Sequence, residues 1–535
     1  MEAPAQPLGT GGFYTRKATG LVREMGMSSN VVLNISFISL PLAALVATQA
    51  PFAFPGANLA LVVVITAVLC VLPTLLYGWL ATAMPRSGGD YVFVSRILHP
   101  VIGFAANFNI TMWYLLVIAQ FGSLLAPFGL SAALATIGAA TGSQGLVDAS
   151  ATVAGHGWQF GLGAAALALT ALLVSFNLRA WTRVFMLLFI LSLVGVAIAV
   201  VLMLLHGRAD FQQSLLRFGG SYDGIIKAAA DAGYTGGGTF SLKNTFAATP
   251  LAFASFGYAI VTTYAGGEIR SPRRTLLKAL LSALAIAAVV VLVMMLLATR
   301  TFGEQFLGAV TYLSNVDPGH YPLAAPPFFF LFAAMLTQSS FLIAVMGISF
   351  ALAFFVALPP TFLIATRNLF AWSFDRILPD KVSSVSERTH SPLVANVIVL
   401  AITLGYLALI VYGPSQFLTL LFTAGAAELL TFIVVALAGT IFPWRRPRLY
   451  RESPIARRVL GLPAISVVGF LSIGVYLLFL IPLLLNDALG ANATPGIVAM
   501  VVTALVPFLI IGSSYLANRR RGVDLGVAFR ELPPE

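Results

Sequence analysis

Charged residues are scarce in this chain of 535 residues: they make up 9% of it, against roughly 25% in an average soluble domain. Hydrophobic residues make up 59% instead. A water-soluble core cannot take up that much apolar surface, so a soluble protein is excluded. Crossing the hydrocarbon layer takes about 20 mainly apolar residues per helix, and such segments recur between Val31 and Leu516. The chain is therefore predicted to span a membrane about twelve times.

Residue patterns for catalysis, metal binding and ATP hydrolysis are also missing. The single cysteine, Cys70, excludes intramolecular disulfides and Cys-rich metal sites. No Lys follows a Gly, which excludes a P-loop, and neither H-E-x-x-H nor G-x-S-x-G occurs. The histidines all fall at predicted span ends or in loops: His99, His156, His206, His320 and His390. We therefore predict no cofactor, no metal site and no enzyme, which leaves transport driven by an existing gradient or by exchange.

The apolar runs are predicted to be α-helices, because lipid cannot satisfy free backbone groups and the period-2 alternation of a membrane barrel is absent. The resulting fold class is an all-α integral membrane protein. The predicted helices are 30–50, 57–83, 97–127, 158–177, 182–206, 246–266, 275–299, 340–369, 392–412, 415–441, 462–485 and 495–517. They form a first unit of five helices with helix six (30–266), the rest of a second unit (275–441) and two last helices (462–517), between tails 1–29 and 518–535.

Basic residues are distributed unevenly between the two sets of alternating loops. All but five of the 30 Lys and Arg lie in the set that includes both tails; the other five are Arg208, Arg217, Lys227, Lys243 and Arg300. Cytoplasmic loops carry such an excess, so both termini are predicted to be cytoplasmic in a plasma (inner) membrane. The first 30 residues lack the apolar core of a signal peptide. In a soluble protein the basic balance would suggest nucleic acid, but here the partner is the lipid bilayer and no nucleic acid is expected.

Two long loops are expected on the side opposite the termini. The stretch from Gly207 to Thr245 is polar and glycine-rich, and we interpret it as a surface loop. The stretch from Thr301 to Gln338 is interpreted as a helical lid segment that does not cross the membrane, because a crossing would invert the charge distribution downstream.

Spans one and six each contain a signal for a helix break. Span one has the polar stretch Asn34–Pro41, whose proline removes a backbone donor, and span six has Gly257 near its middle. A break at membrane depth frees backbone groups that a ligand can satisfy. Plain kinks are the alternative, since Pro and Gly are frequent in membrane helices. The two breaks, however, open two successive five-span units, as an inverted repeat requires.

The loops on the side of the termini carry three further motifs. They are Met84–Tyr91 after span two, Gly267–Arg274 after span six, and Thr366–Pro379 followed by His390–Pro392 after span eight. In order and position they resemble the loop signatures of the amino acid–polyamine–organocation (APC) transporters, over roughly residues 25 to 440. The resemblance implies a five-plus-five inverted repeat with helices one and six broken, two further helices, and alternating access around a central site.

The same resemblance implies which residues hold the substrate, with its amino and carboxylate groups against the backbone of the two breaks. From span one these are Ser36, Ile38, Ser39, Leu40 and Pro41. From span six they are Phe253, Ser255, Phe256, Gly257 and Tyr258, with Phe256 a candidate occluding gate.

Further candidates come from polar and aromatic residues inside spans. Glu428 in span ten costs about 2.5–3.5 kcal/mol to insert, and such residues are functional by default. It is the candidate for ion coupling; a protonated Glu bonded between helices is the alternative. Trp113 and Asn109 in span three are candidates for lining the site, beside Tyr114, with plain packing as the alternative. Glu268 and Arg86 are candidates for an inner gate, or else a surface ion pair.

We therefore predict a secondary active transporter that moves amino acids by alternating access. It would be coupled to a proton or sodium gradient, as a symporter or an antiporter, or act by exchange. Within the same fold, the alternatives are a carrier of polyamines, nucleobases or inorganic cations. From another class, the alternative is a membrane receptor or sensor that does not transport.

Overall fold

The computed structural model of the chain describes residues 23–38, 40–176, 178–236, 239–323, 325–413, 416–487, 490–520 and 529. The helices of the first half are α1 (Met27–Ile38), α2 (Leu40–Ala53), α3 (Leu59–Ala83), α4 (Asp90–Ile97), α5 (Pro100–Leu124), α6 (Ala132–Thr141), α7 (Gln144–Val153), α8 (His156–Ser175), α9 (Leu178–Leu205), α10 (Arg208–Arg217), α11 (Tyr222–Asp231), α12 (Leu242–Ala247) and α13 (Thr249–Phe256). Those of the second half are α14 (Pro272–Thr301), α15 (Glu304–Val316), α16 (Phe329–Met335), α17 (Ser340–Phe374), α18 (Leu393–Tyr412), α19 (Gln416–Arg445), α20 (Pro447–Glu452), α21 (Ala464–Leu485) and α22 (Thr494–Arg520).

A few shorter elements complete the chain. Strands β1 (Arg458–Val459) and β2 (Leu462–Pro463) pair antiparallel, with Arg458 opposite Pro463. A π-helical turn, Leu125–Ser131, joins α5 to α6. The 3₁₀ turns are Val261–Tyr264, Gly266–Glu268, Pro318–His320 and Asp380–Ser383.

Eleven segments of the described residues are helical, long enough and apolar enough to cross a membrane. The sixth predicted span is not among them because it is divided. Its helix α13 has only eight residues, which rise about 12 Å, far less than a hydrocarbon core of about 30 Å. The two 3₁₀ turns of residues 261–268 continue it. The all-α membrane architecture predicted from the sequence is confirmed.

Both ends of the described chain lie on one face of the bundle, which we call the terminal face. There the backbone N–H of Arg270 donates to the carbonyl of Met25 at 2.9 Å, and the side chain of Asn518 donates to the carbonyl of Arg376 at 3.0 Å. On the opposite face, the backbone N–H of Asn58 donates to Thr245 at 3.1 Å. The divided sixth span starts at that opposite face and ends at the terminal face, so it crosses the whole bundle.

Helices in equivalent positions of the two five-span units contact each other. The second span, α3, packs along the seventh, α14; the third, α5, along the eighth, α17; and the fourth, α8, along the ninth, α18. The first span contacts the sixth, since α2 packs on α13 and α1 on the 3₁₀ turn that follows. This pairing is the five-plus-five arrangement, and α21 and α22 are added outside it.

The two long loops on the opposite face differ in outcome. Residues 207–245 were expected to be a surface loop, and this is wrong, because they contain α10, α11 and most of α12. Ser221 and Ser241 cap two of these helices with their side-chain oxygens, as helix N-termini require. Residues 301–338 contain two helices, α15 and α16, and α15 packs along α2 and α11. This stretch does not cross the bundle.

A buried ion pair joins two loops of the terminal face. Arg96 at the end of α4 donates to both carboxylate oxygens of Asp375, at 2.7 and 3.0 Å, and Tyr91 donates to the same carboxylate at 2.7 Å. The side chains of Arg96 and Asp375 are 2% and 1% exposed. Bidentate geometry with an added hydroxyl satisfies a charge pair that would otherwise be costly to bury.

We expect Arg96→Ala to destabilise the protein strongly, because it removes the guanidinium from a buried carboxylate. The expected loss is about 3–5 kcal/mol in the free energy of unfolding. Thermal unfolding of the detergent-solubilised protein measures it, with Arg451→Ala as the control, since Arg451 is exposed on the same face. Equal melting temperatures for the two variants would contradict this role of the ion pair.

Candidate functional site

A cavity lies between the first and sixth spans, and the space within it together with its open mouth is about 840 Å³. It is lined by α1, α2, α5, α13, α19 and α21, and by the residues directly after α13. Its lining residues are Phe37, Leu45, Val46, Gln49, Tyr114, Val117, Phe121, Pro250, Leu251, Phe253, Ala254, Tyr258, Ala424, Gly425, Glu428, Leu429 and Leu483. Most of these are apolar or aromatic, which is typical of a small-molecule pocket with few polar groups to orient the ligand.

The end of α13 gives the cavity its shape. A Cβ atom added at Gly257 would lie 2.3 Å from the ring of Phe253, so a larger residue there would displace that ring from the cavity wall. The turn brings Phe253 and Tyr258 to the same side, where both line the cavity. Phe37 packs edge-on against Tyr258, with ring centroids 5.2 Å apart, and closes the wall between the first and sixth spans.

Glu428 is the one charged side chain in the lining. It is 1% exposed, and the Tyr258 hydroxyl donates a hydrogen bond to its Oε2 atom. Its Oε1 atom has no hydrogen-bond partner among the described residues. Leaving a buried carboxylate oxygen without a hydrogen bond costs free energy. The Oε1 atom is therefore suited to bind a proton or a cationic amine.

The described part of the chain has no group of three or more His, Cys, Asp and Glu that could hold a metal ion. Among the described lining residues, the polar side chains are the Glu428 carboxylate, the hydroxyl groups of Tyr258 and Tyr114, and the amide of Gln49.

Of the residues predicted to hold a ligand, Phe253, Tyr258 and Glu428 line the cavity. Among the predicted residues whose side chains are described, the following do not line it: Ser36, Ile38, Leu40, Ser255, Phe256, Gly257, Asn109 and Trp113. Ser39 lies outside the described residues, as does the side chain of Pro41.

Several of these residues have other packing roles. Ser36 donates to the carbonyl of Val32 one turn earlier, at 2.7 Å. Phe256 is completely buried behind the cavity wall. Ser255 is also completely buried, and its hydroxyl has no partner among the described residues. Phe37, which lies between Ser36 and Ile38, faces the cavity in their place.

Asn109 and Trp113 fasten helices together rather than facing the cavity. Asn109 donates to the carbonyl of Ala427 at 2.9 Å and to Thr431 at 3.1 Å, both on α19. Trp113 donates to Thr503 of α22 at 3.1 Å, and Thr503 donates to Asn109 at 2.9 Å. Tyr114, the next residue, is the one from this part of α5 that lines the cavity.

The terminal side of the cavity is closed by what we call the terminal seal, centred on Glu268. Glu268 pairs with Arg367 of α17, at 2.5 and 2.9 Å, and both side chains are 3% exposed. In this structure Glu268 pairs with Arg367 and not with the predicted partner Arg86, whose guanidinium donates to the carbonyl of Pro85 at 3.3 Å. Arg367 was not predicted as the partner, because it lies 99 residues from Glu268 in the sequence and no local pattern connects the two.

Asn34 on α1 is a functional candidate that sequence reasoning passed over. Its side-chain amide donates to Thr262 Oγ1 at 2.9 Å and accepts from the backbone N–H of Thr262 at 3.3 Å. The same amide donates to the carbonyl of Asn30 at 2.7 Å. It thereby joins the first and sixth spans. An asparagine within the polar stretch that precedes Pro41 was the available signal.

A family model described as amino acid permease matches residues 21–507 of this chain. The match includes the first and sixth spans, the cavity and the terminal seal. No curated protein matches the chain.

Thiol labelling tests which side of the divided span the cavity faces. We expect Gln49→Cys to react with a membrane-impermeant maleimide added at the opposite face, because Gln49 is half-buried and lines the cavity. Ser36→Cys should not react from that face, since Ser36 is 2% exposed on the terminal side of the wall. The unmodified chain is the control, because its own Cys70 is completely buried. Equal labelling of both variants would show that the cavity is assigned to the wrong side.

Proposed function

Since this chain belongs to the amino acid permease family of the APC superfamily, we propose that it is a secondary transporter that carries amino acids by alternating access. Its family is one of transporters, not of enzymes, and it is a multi-pass membrane protein. The observation that carries the proposal is the cavity between the first span and the divided sixth span, with the buried pair of Glu268 and Arg367 toward the terminal face.

Alternating access requires a site that is closed on one side while it is reachable on the other. The terminal seal supplies the closed side, with the buried pair of Glu268 and Arg367 across the sixth and eighth spans. The lining residue Gln49, on α2 toward the opposite face, is half-buried. In this state the substrate enters from the opposite face, and the seal separates to release it.

The lining favours a substrate with an amine and an apolar or aromatic body. Glu428 is suited to receive the ammonium group, and Phe37, Phe121 and Phe253 would surround an apolar side chain. The carboxylate of an amino acid would be held by backbone N–H groups at the helix breaks, where helix N-termini carry partial positive charge. Amines without a carboxylate are a second candidate, because the lining contains an acidic side chain and no Lys or Arg.

Coupling is proposed to involve a proton on Glu428. An intramembrane carboxylate at a substrate site is a functional residue by default, and the free Oε1 atom of Glu428 faces the cavity wall. Proton and substrate ammonium would then bind the same carboxylate in turn.

We propose that the terminal face is cytoplasmic and that the protein resides in the plasma (inner) membrane. The basic residues support this orientation, since most of them, including Arg445, Arg446 and Arg448, lie in loops of the terminal face.

Uptake into proteoliposomes tests the proposal directly. We expect at least one labelled amino acid with an apolar or aromatic side chain to accumulate under an imposed pH or sodium gradient. Gly425→Leu should abolish this uptake, because the leucine side chain would enter the cavity. A Cβ atom at Gly425 would already lie 3.7 Å from Cδ2 of Leu483. Gly405→Leu is the matched control, since no atom lies within 4 Å of a Cβ there. A panel of amino acids and amines of which none accumulates or exchanges would overturn the transporter proposal.

The role of Glu428 has its own test. We expect Glu428→Gln to retain folding, because the amide fills the same space and still accepts the Tyr258 hydrogen bond. Uptake by this variant should lose its dependence on the pH gradient and fall at least about tenfold, the effect of about 1.4 kcal/mol. The rate is measured at equal membrane potential with and without a pH gradient. An unchanged pH dependence would remove Glu428 as the coupling residue.

A further inference from the structure

Among the described residues, a second buried carboxylate without an ion pair lies at the terminal face, on the first residue of α4. Asp90 is completely buried, and the Tyr264 hydroxyl donates a hydrogen bond to its Oδ2 atom. Its Oδ1 atom has no hydrogen-bond partner among the described residues. Asp90 thus resembles Glu428, because each is a buried carboxylate that accepts a hydrogen bond from a tyrosine of the sixth span; Tyr77 of α3 also lies close to the Asp90 carboxylate.

Both tyrosines belong to the divided sixth span. Tyr258, at its start, bonds to the cavity carboxylate, and Tyr264, six residues later, bonds to Asp90. Tyr114 of α5 lies between them, with ring centroids 6.2 Å from Tyr258 and 6.4 Å from Tyr264. A shift of this segment therefore changes the surroundings of both carboxylates together.

The loop before Asp90 closes tightly over the same segment. The backbone N–H of Gly88 donates to the carbonyl of Tyr264 at 2.9 Å, and Ser87 pairs with Ala265. A Cβ atom at Gly89, whose φ is +45°, would lie 2.6 Å from the Tyr264 ring. Asp90 consequently stays away from water only while the loop and the segment remain packed, and opening of the terminal side must separate them.

The side chains that face Asp90 are uncharged in the physiological range. They are tyrosines of four elements: Tyr264 of the sixth span, Tyr77 of α3, Tyr114 of α5 and Tyr476 of α21.

The nearest charged groups are engaged elsewhere. Arg96 of the same helix pairs with Asp375, and Arg367 pairs with Glu268. Arg86 of the preceding loop donates to the carbonyl of Pro85. Tyrosine hydroxyl groups therefore surround Asp90, but it has no ion-pair partner among the described residues.

Burial raises the pKa of Asp90 from 3.8 to about 7, although the hydrogen bond from Tyr264 opposes the rise. In water, once the loop and segment separate, the ordinary value applies. The closed state therefore binds more protons than the open one between these two values. Closure is favoured as the pH falls through about 7 and weakened as the pH rises above it.

We propose that Asp90 is a proton-binding site of the terminal seal, so that acid on the terminal side holds the transporter closed toward that side. The proposal rests on the proposed alternating-access function. It differs from coupling at Glu428, because Asp90 does not line the cavity and its proton comes from the terminal side.

Labelling from the terminal side tests the proposal without requiring transport. A cysteine introduced by Ser36→Cys, on the terminal side of the wall and behind the seal, reports opening when a maleimide is added at that face. A cysteine introduced by Ser384→Cys, at an exposed position on the same face, provides the labelling rate that corrects for the pH dependence of the reagent. Between about pH 8 and about pH 6 we expect the corrected labelling to fall about tenfold, as linkage to a group titrating near 7 requires.

Four variants in this background identify the group responsible. Asp90→Asn should give low labelling at both pH values with no pH dependence, because the neutral side chain favours closure. Tyr264→Phe removes the hydroxyl that favours the charged form, so its labelling should fall at a higher pH. Tyr258→Phe is the matched control and should leave the pH of the transition unchanged, since its hydroxyl bonds to Glu428. Asp90→Glu should restore a pH-dependent response.

The outcomes separate this inference from the proposed function. A pH-dependent response that persists in Asp90→Asn overturns the inference, even if uptake is intact. A response lost in Asp90→Asn supports it, and if no solute is then taken up by the unmodified protein, only the transport proposal fails.

Discussion

The need to satisfy backbone hydrogen bonds inside lipid is the constraint on which this structure depends. The sixth span leaves the α-helix after Phe256 although it is still within the bundle, so its backbone groups need partners from other elements. The amide of Asn34 provides one, because it both accepts from the N–H of Thr262 and donates to the threonine hydroxyl. With the segment held in this way, Tyr258, Tyr264 and Glu268 are presented at three successive depths.

Much of the fold could be predicted from the sequence, because lipid imposes a length and a composition on every span. The division of span six followed from one residue, Gly257, whose position under the Phe253 ring leaves no room for a Cβ. Residues 207–245 were misjudged for a different reason. Polar, glycine-rich composition indicates exposure, but an exposed stretch can still be helical when Ser221 and Ser241 cap its helices.

The candidate site was less predictable than the fold, because neighbours in a motif do not share a helix face. Phe253 and Tyr258 line the cavity, whereas Ser255 and Phe256 between them are buried on other sides. Glu268 and Arg367 are 99 residues apart in the sequence, and their contact depends on how the sixth span packs against α17. Glu428 needed no such knowledge, since a lone charge inside an apolar run is visible in any sequence.

The last helix, α22, is hydrogen-bonded to both the third span and the chain after the eighth span. Its Thr503 is bonded to Trp113 and Asn109 of α5, while Ser514 and Asn518 donate to the carbonyl of Arg376, just after α17. Polar bonds of this kind fasten helices in lipid, where apolar contacts alone give little preference for one partner. The last helix thus fastens the third span to the chain just after the eighth, and we expect these two spans to move together as one rigid unit.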